Sequence, residues 1–413
     1  MSCMTGRMHL FHSRDKVLRQ NLIAALVLAG AAACVSAAEP GPSLKNAYKD
    51  AFLMGTAVNE AIVSGADAAS GRIVLTHFNS ITAENVMKAE PINPRPGVYN
   101  FAPADAFVAF GETNGMFIVG HTLVWHNQTP AWFFLDEQGQ RNTREAQIER
   151  MRRHIEIVAG RYAGRVHAWD VVNEVIDNDG SYRPTTWVNA VGSGDELVKH
   201  AFRFASQYAT NAELYYNDFN AWRPAKRDGI VRMVKMLQKE GIRIDGVGMQ
   251  AHWGLNYPKS EYIEAAIDAY AALGIKVMIT ELDVDVLPLT KEGQVIGTVM
   301  SHAQFQEEEF KSFLDPYSAG LPDDMQDQLA ARYRELFEIF HRKRHAIARV
   351  TLWGIHDGMS WKNDYPVPRR TNYPLLFDRK KQPKPAFDAV IRLPSQQSSN
   401  SNPAEGPGVQ KGR

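Results

Sequence analysis

Two glutamates stand at the ends of short apolar segments, and they are the residues best placed to do chemistry. Glu174 ends the run 169–174, and Glu281 ends the run 277–281. Such runs are typical of strands buried on both faces, where a carboxylate is costly to bury unless it has a partner or a task. The pair therefore predicts an active site with two carboxylates that the fold brings together.

Eight strand-like segments, separated by helix-like patterns, would position these glutamates. The candidate strands are Phe52–Ala57, Ile73–Phe78, Met116–Leu123, Val166–Val172, Glu213–Asn217, Gly246–Gln250, Lys276–Glu281 and Arg349–Trp353. Eight strand–helix units with no internal linker predict an α/β fold, a (β/α)8 TIM barrel in a single domain. In that fold, chemistry gathers at the carboxyl ends of the strands.

One helix-like pattern illustrates the units between the strands. Apolar residues recur at three- and four-residue spacing at Ile148, Met151, Ile155 and Val158. This spacing predicts a helix packed on a sheet. Asn142 or Thr143 would cap its start, and Gly160 or Gly164 would end it.

The predicted strand ends carry carboxylates, amides, imidazoles and indoles. They include Thr82, Glu84, Asn85, Lys88, His121, Trp125, Asn173, Asn217, Asp218, Gln250, His252, Asp283, Trp353 and Trp361. This combination suits a sugar, because hydroxyl groups need polar partners and the C–H faces of the ring need a flat aromatic surface. His126, His356 and Asp170 are interpreted as structural.

The composition describes a balanced globular chain. Forty-six basic and 46 acidic residues cancel, which argues against nucleic acid or an anionic membrane as a partner. With 45% hydrophobic residues the chain can bury a large core, and we expect a monomer. The two cysteines, Cys3 and Cys34, precede the predicted domain, so disulfides are not expected in it.

The two ends of the chain differ from the middle. Basic residues precede an apolar stretch at 22–35, and small residues follow it, which predicts a signal peptide over 1–37 and a secreted or periplasmic protein. A lipid anchor at Cys34 is the weaker alternative. The catalytic domain is predicted over 42–393. Residues 394–413, rich in Ser, Asn, Pro, Gly and Gln, are expected to form a disordered tail.

Several motifs occur in a consistent order along the domain. They are the segments 81–88 (ITAENVMK), 120–126 (GHTLVWH), 169–174 (WDVVNE), 216–218 (YND), 250–252 (QAH), 279–283 (ITELD), 353–354 (WG) and 371–378 (TNYPLLFD). With these motifs the chain resembles glycoside hydrolase family ten, the endo-β-1,4-xylanases. The resemblance implies that Glu174 is the general acid/base and Glu281 the nucleophile, with retention of anomeric configuration. It also implies xylan and xylo-oligosaccharides as substrates.

Physical chemistry supports these roles independently. Retaining hydrolysis needs two carboxyl groups about 5–5.5 Å apart, one protonated and one ionised. These residues predict a hydrogen-bonded row Asp283–His252–Glu281, which would keep Glu281 ionised. Asn173 is expected to bond the sugar 2-hydroxyl. Asn217 is expected either to order the surroundings of the acid/base or to serve in a turn or cap.

The predicted substrate-binding set comprises Glu84, Asn85, Lys88, His121, Trp125, Gln250, Trp353 and Trp361. By the resemblance, Glu84, Asn85 and Lys88 grip the sugar next to the reacting one. Trp361 would occupy the place of a glucose hydroxymethyl group, which favours xylan over cellulose. The sequence of the loop 361–370 does not match a known family pattern. The preference for xylan that carries side chains is therefore left open.

Three other functions remain as alternatives. A metal hydrolase would use the ligand types of His121, His252, Asp218 and Asp283. However, the sequence has no His-x-His or His-Glu-x-x-His pair, and neither a metal nor a cofactor is expected. A catalytically silent xylan-binding protein would be expected to lose one of the two glutamates. A retaining β-glycanase acting on another glycan is the third alternative.

Overall fold

The structure, a computed structural model, describes residues 42–287, 314–365 and 368–400. The predicted signal peptide, both cysteines and residues 401–413 lie outside this part of the chain.

The described residues form a closed parallel barrel. Its strands are β1 (Leu53–Val58), β2 (Ser80–Ala83), β3 (Phe117–Val124), β4 (Ala168–Asn173), β5 (Glu213–Asp218), β6 (Gly246–Met249), β8 (Lys276–Asp285) and β9 (Ile347–Leu352). Each strand pairs with the next around the ring, and β6 pairs with β8 to close it. A short strand, β7 (His252–Gly254), extends the line of β6 and pairs with the far half of β8, where His252 faces Asp283. The predicted (β/α)8 barrel is confirmed.

Helices surround the barrel and connect its strands. They are α1 (Leu44–Ala47), α2 (Glu60–Val63), α3 (Ala68–His77), α4 (Ala89–Ile92), α5 (Ala102–Thr113), α6 (Arg144–Arg161), α7 (Thr186–Val191), α8 (Gly194–Tyr208), α9 (Pro224–Lys239), α10 (Ser260–Ala271), α11 (Asp323–Arg342), α12 (Pro385–Ile391) and α13 (Leu393–Asn400). Short 3-10 turns lie at Ala131–Phe134, Asp357–Met359 and Trp361–Asn363. None of the helices described is long and apolar enough to cross a membrane.

One predicted strand is wrong. The segment Ile73–Phe78 lies mostly in α3, and the second barrel strand is Ser80–Ala83. The run of β-branched residues resembled a doubly buried strand, but Leu75 is 40% exposed while Val74 is fully buried. The segment therefore buries a single face. Asp67 caps α3 by accepting a hydrogen bond from the backbone N–H of Ser70, which starts the helix before the apolar run.

Helix α6 agrees with its sequence pattern. Thr143 caps it by accepting a hydrogen bond from the N–H of Ala146, and Met151, Ile155 and Val158 are buried. The helix ends at Arg161, so Gly160 lies within it. Gly164 follows the helix with a φ of 76°, a left-handed conformation that favours glycine.

Tight packing between β3 and β4 holds two site-bearing strands together. Gly120 faces Trp169 across the strand pair. A Cβ at Gly120 would lie 2.3 Å from ring atoms of the buried Trp169. Only glycine allows the indole this close, and the next residue on β3 is His121.

The carboxyl end of the described chain differs from expectation. Residues 394–400, which the sequence analysis assigned to a disordered tail, belong to helix α13. Leu393, its first residue, is buried. The helix contacts α11 and α12.

Candidate active site

A cleft of about 800 Å³ lies at the carboxyl ends of the barrel strands. Both Glu174 and Glu281 line it, as do all eight residues of the predicted substrate-binding set. Asn173 and His252 also line the cleft, whereas Asn217 and Asp283 stand behind its wall. The structure thus brings together side chains from seven strands or strand ends. A cleft with carboxylates, amides and indoles is suited to bind sugars.

Glu281 is held inside β8 by two hydrogen-bond donors. Its Oε1 accepts a hydrogen bond from the Asn217 amide at 2.8 Å, and its Oε2 lies 3.0 Å from His252 Nε2. His252 Nδ1 in turn lies 3.0 Å from Asp283 Oδ2. The hydrogen-bonded row Asp283–His252–Glu281 that the sequence analysis expected is present.

Charges in this row keep Glu281 ionised. Burial alone raises the pKa of Glu281, but the hydrogen bond from His252 and the charges of His121 and His252 outweigh it and lower the pKa below its ordinary value. Burial lowers the pKa of His252, and Asp283 and Glu281 more than compensate, which raises it to about 9. A cationic imidazole therefore stands between two anionic carboxylates.

Glu174 has a different set of partners. It follows β4 with a left-handed φ of 60°. Because this backbone conformation is not that of a strand, its side chain does not continue the alternating directions of the side chains in β4. Oε2 accepts a hydrogen bond from the indole N–H of Trp125 at 2.9 Å, and Oε1 accepts one from the Gln250 amide at 2.9 Å. These donors are neutral, whereas Glu281 faces a cation. The two carboxyl groups therefore sit in distinct electrostatic environments.

Two asparagines connect the glutamates. The Asn217 amide donates to Asn173 Oδ1 at 2.9 Å as well as to Glu281, and Asn173 Nδ2 lies 3.3 Å from Glu174 Oε1. Thr280 fixes the amide orientation of Asn217 by donating to its Oδ1 at 2.6 Å. The expectation that Asn217 orders the acid/base neighbourhood is incomplete, because its direct contact is with Glu281. The register of β4 and β5, which places Asn173 opposite Asn217, explains this position.

A second group of side chains lines the cleft around Lys88. Lys88 Nζ donates to Asn85 Oδ1 at 3.0 Å and lies 5.0 Å from the ring centroid of Trp125. Burial lowers the pKa of Lys88, opposed by the charges of Glu281, Glu84 and Glu174. Burial also raises the pKa of Glu84. A buried ammonium group among carboxylates and an amide can grip sugar hydroxyls.

Aromatic residues form another wall of the cleft. The Trp361 indole N–H donates to Asp283 Oδ2 at 2.9 Å, so the indole is tied to the row that orients Glu281. Its ring contacts His252 edge-on, and Tyr365 stacks on it with ring centroids 5.2 Å apart. Trp353 lies 9% exposed beside His121 and His252.

The cleft includes residues that the sequence analysis missed. They are His126, Asn127, Gln128, Asp177, Asn178, Arg183, Phe219, Asn220 and Tyr365. His126, interpreted as structural, lies 4.0 Å from Glu174 Oε2. Phe219 and Asn220 come just after the polar residues at the end of the predicted fifth strand. That position could have identified them as residues of the cleft. Arg183, which donates to the backbone carbonyl of Glu174 at 3.1 Å, reaches the cleft from a loop and carried no such signal.

The candidate metal ligands have other partners. His121 Nδ1 lies 2.8 Å from Asp170 Oδ2, which fits the supporting role expected of Asp170. Asp218 pairs with Lys226, and His252 bridges Glu281 and Asp283. Among residues 42–287, 314–365 and 368–400, no three His, Cys, Asp or Glu side chains are arranged to hold a metal ion.

The chain matches a family model and known proteins over this domain. The model is described as Glycosyl hydrolase family 10 and covers residues 43–393. Endo-1,4-beta-xylanase A of Xylanibacter ruminicola is 42% identical over 356 residues, which make up 86% of this chain and 94% of the relative. An endo-1,4-beta-xylanase of Geobacillus stearothermophilus is 38% identical over 358 residues, 85% and 98% of the two chains.

Solved structures agree with these relatives. A GH10 endoxylanase retrieved from a sugarcane soil metagenome superimposes with a TM-score of 0.79 at 43% identity, over 86% of this chain and 99% of that one. A mutant structure in complex with xylotriose gives a TM-score of 0.73 at 38% identity, over 84% and 99%. On the strength of the family match, the barrel and the paired glutamates, the chain belongs to glycosyl hydrolase family 10.

Proposed function

We propose that the protein is a retaining endo-β-1,4-xylanase that hydrolyses internal xylosidic bonds of xylan. The observation that carries the proposal is the unequal environment of the two glutamates in one cleft. A cation and an amide hold Glu281 in its ionised form, whereas neutral donors bond Glu174. Retaining glycosidases need this division between a nucleophile and an acid.

The named relatives support the substrate. Proteins 42% and 38% identical to this chain over most of its length are called endo-1,4-beta-xylanases, and a similar structure holds xylotriose. In this chain, the indole of Trp361 lines the cleft and contacts His252 edge-on. We propose that its bulk there excludes a hydroxymethyl group. Xylose lacks that group, so the wall discriminates against glucose.

The first half of the reaction forms a glycosyl-enzyme. A carboxylate oxygen of Glu281 attacks the anomeric carbon while the bond to the leaving sugar oxygen breaks, and Glu174 gives its proton to that oxygen. The amide of Asn217 holds one oxygen of Glu281 and the imidazole of His252 holds the other, so the nucleophile enters with a fixed orientation.

The second half hydrolyses the intermediate. Glu174, now ionised, takes a proton from water, whose oxygen attacks the anomeric carbon and releases Glu281. The amide group of Asn173, between Glu174 and Asn217, is suited to bond the 2-hydroxyl of the reacting sugar. That hydrogen bond strengthens in the oxocarbenium-like transition state, so its loss lowers rate more than affinity.

Proton NMR during digestion of soluble β-1,4-xylan tests this function. The control digestion uses carboxymethyl cellulose, and both contain a chelator. Early β-anomeric xylo-oligosaccharides from xylan alone are expected. Early α-anomers would contradict the nucleophilic role of Glu281, products from cellulose would indicate another glycan, and binding without turnover would indicate a silent xylan-binding protein.

We also propose that the protein is exported as a monomer after removal of residues 1–37. The sequence pattern of basic, apolar and small residues supports cleavage there. Amino-terminal sequencing of the protein from the medium or periplasm tests this, and a chain that retains residue 1 in the cytoplasm would contradict it. Light scattering tests the monomer.

A further inference from the structure

A fully buried ion pair lies behind the cleft, on the Glu174 side. Asp218 ends β5 and Lys226 lies in the first turn of α9, and both side chains are 0% exposed. Lys226 Nζ is 2.7 Å from Asp218 Oδ1. Burying two charges costs several kcal/mol per ion, and apolar residues of similar volume often replace such pairs without loss of stability. Stability alone therefore does not account for this pair.

The first connection to Glu174 runs through Tyr216. The hydroxyl of Tyr216 donates to Asp218 Oδ2 and accepts a hydrogen bond from the backbone N–H of Ile176 at 3.0 Å. Ile176 is two residues beyond Glu174, whose left-handed backbone begins this segment. The carboxylate of Asp218 thus anchors the chain immediately after Glu174.

The second connection runs through Gln250. The backbone carbonyl of Asp218 accepts a hydrogen bond from the Gln250 N–H at 3.0 Å, and the Gln250 side chain donates to Glu174 Oε1. The Lys226 ammonium also lies 3.9 Å from the ring centroid of Phe219, which lines the cleft. Asp218 therefore contacts both Tyr216 and Gln250, and Lys226 holds Asp218 and contacts Phe219. Neither side chain of the pair lines the cleft.

Asp218 and Lys226 also interact electrostatically with Glu174. Burial raises the pKa of Asp218 to about 6, Lys226 opposes this, and the charge of Glu174 adds to the rise. Burial lowers the pKa of Lys226, while Asp218 and Glu174 act in the opposite direction.

We propose that Asp218 and Lys226 are positioning residues for Glu174, which they hold through Tyr216 and Gln250 in the geometry needed for proton donation. This inference rests on the proposed function of Glu174 as acid/base. If the inference is correct, variants of the pair should be slower only in the formation of the glycosyl-enzyme, and only when the leaving oxygen needs a proton from Glu174. A pair that only stabilised the barrel would affect all substrates alike.

Aryl β-xylobiosides with different leaving groups separate these cases. The dinitrophenolate group leaves without acid help, whereas a phenolate group needs a proton. The ratio kcat/KM reports glycosylation only, so it is not affected by the later role of Glu174 as base. In Lys226→Met and Tyr216→Phe, kcat/KM is expected to fall about tenfold or more on the phenyl substrate. On the dinitrophenyl substrate it should fall by less than about threefold.

A matched control uses another buried Lys–Asp pair, in which Lys384 Nζ lies 3.0 Å from Asp357 Oδ2. Lys384→Met is expected to lower the melting temperature without changing the ratio between the two substrates. Tyr216→Phe keeps both charges, so it supplies the test if Lys226→Met does not fold. Equal losses on both substrates in Tyr216→Phe, or a changed ratio in Lys384→Met, would overturn the inference. Wild type that hydrolyses neither xylan nor either aryl substrate would instead overturn the proposed function.

Discussion

At the residue scale, the chemistry depends on how differently the fold treats two identical side chains. Glu281 is 5% exposed and Glu174 is 8% exposed, so burial does not distinguish them. The donors do, because His252 carries a positive charge beside Glu281, and an indole and an amide face Glu174. This difference is the basis on which we propose Glu281 as the nucleophile and Glu174 as the proton donor.

Replacing Glu281 removes the proposed nucleophile. In Glu281→Ala, xylan hydrolysis is expected to fall roughly a thousandfold or more, because no other carboxylate is held at that place. Reducing-sugar release measures this, and circular dichroism checks the fold. Glu145→Ala is the control, since that side chain is 79% exposed on α6. Activity near the wild-type level in Glu281→Ala would exclude the nucleophilic role.

Replacing Glu174 separates its acid and base roles. In Glu174→Ala, xylan hydrolysis is expected to fall by about two to four orders of magnitude, the usual share of general acid–base catalysis. A dinitrophenyl xylobioside should still form the glycosyl-enzyme, and added azide should then raise turnover by attacking it without base help. NMR would detect a β-xylobiosyl azide product. No response to azide would contradict the assignment of Glu174 as acid/base.

Two substitutions of Trp361 test the bulk of its ring separately from its hydrogen bond to Asp283. Trp361→Ala should raise kcat/KM for an aryl cellobioside, relative to the xylobioside, by about tenfold, because it makes room for a hydroxymethyl group. Trp361→Phe keeps an aromatic ring but loses the N–H that bonds Asp283. It should lower the rate on both substrates and leave their ratio near the wild-type value. The ratio of kcat/KM for the cellobioside to that for the xylobioside measures selectivity in each variant. An unchanged ratio in Trp361→Ala would show that other residues determine the selectivity for xylose.

At the element scale, the sequence predicts the strands better than what lies between them. Buried apolar runs and the polar residues after them identified the barrel and the position of Glu174 directly after β4. In contrast, β8 continues past Glu281 to Asp285, so this glutamate lies within the strand and not at its end. The segment 73–78 was misleading because three β-branched or aliphatic residues in a row also fit a helix that buries one side. Residues such as Arg183 and Gln128 reach the cleft from loops, whose paths depend on tertiary contacts and not on local periodicity.

Close packing of β3 on β4 makes Gly120 a sensitive position. Gly120→Ala would place a Cβ 2.3 Å from the Trp169 ring, and strand pairing prevents either side from moving away. We expect a loss of about 1–3 kcal/mol of unfolding free energy, measured by urea denaturation. Gly160→Ala is the matched control, because a Cβ there meets nothing within 4 Å. Within α6 the added methyl should stabilise by up to about 1 kcal/mol, and equal effects at both sites would contradict the packing argument.

At the scale of the whole molecule, two histidines with shifted pKa values, one lowered and one raised, make the free energy of unfolding depend on pH. His154 in α6 is buried, which lowers its pKa to about 4, whereas the pKa of His252 is raised to about 9. The unfolded chain takes up a proton at His154 below about pH 6.5, before the folded chain does, so stability falls between pH 6.5 and 4. The contribution of His252 is complete below pH 6.5 and is lost as pH rises through about 9.

The expected result is a stability maximum near neutral pH, with an acid limb that depends on His154. A shift of this size corresponds to about 3 kcal/mol, or roughly 3–5 °C in melting temperature for a domain of this length. His154→Gln should remove most of the difference in melting temperature between pH 7 and pH 4.5. His345→Gln, at a more exposed position on the opposite end of the barrel, is the control and should leave that difference unchanged. If His154→Gln keeps the wild-type acid limb, the protonation that destabilises the fold lies in the carboxylates, whose hydrogen bonds are lost over the same range.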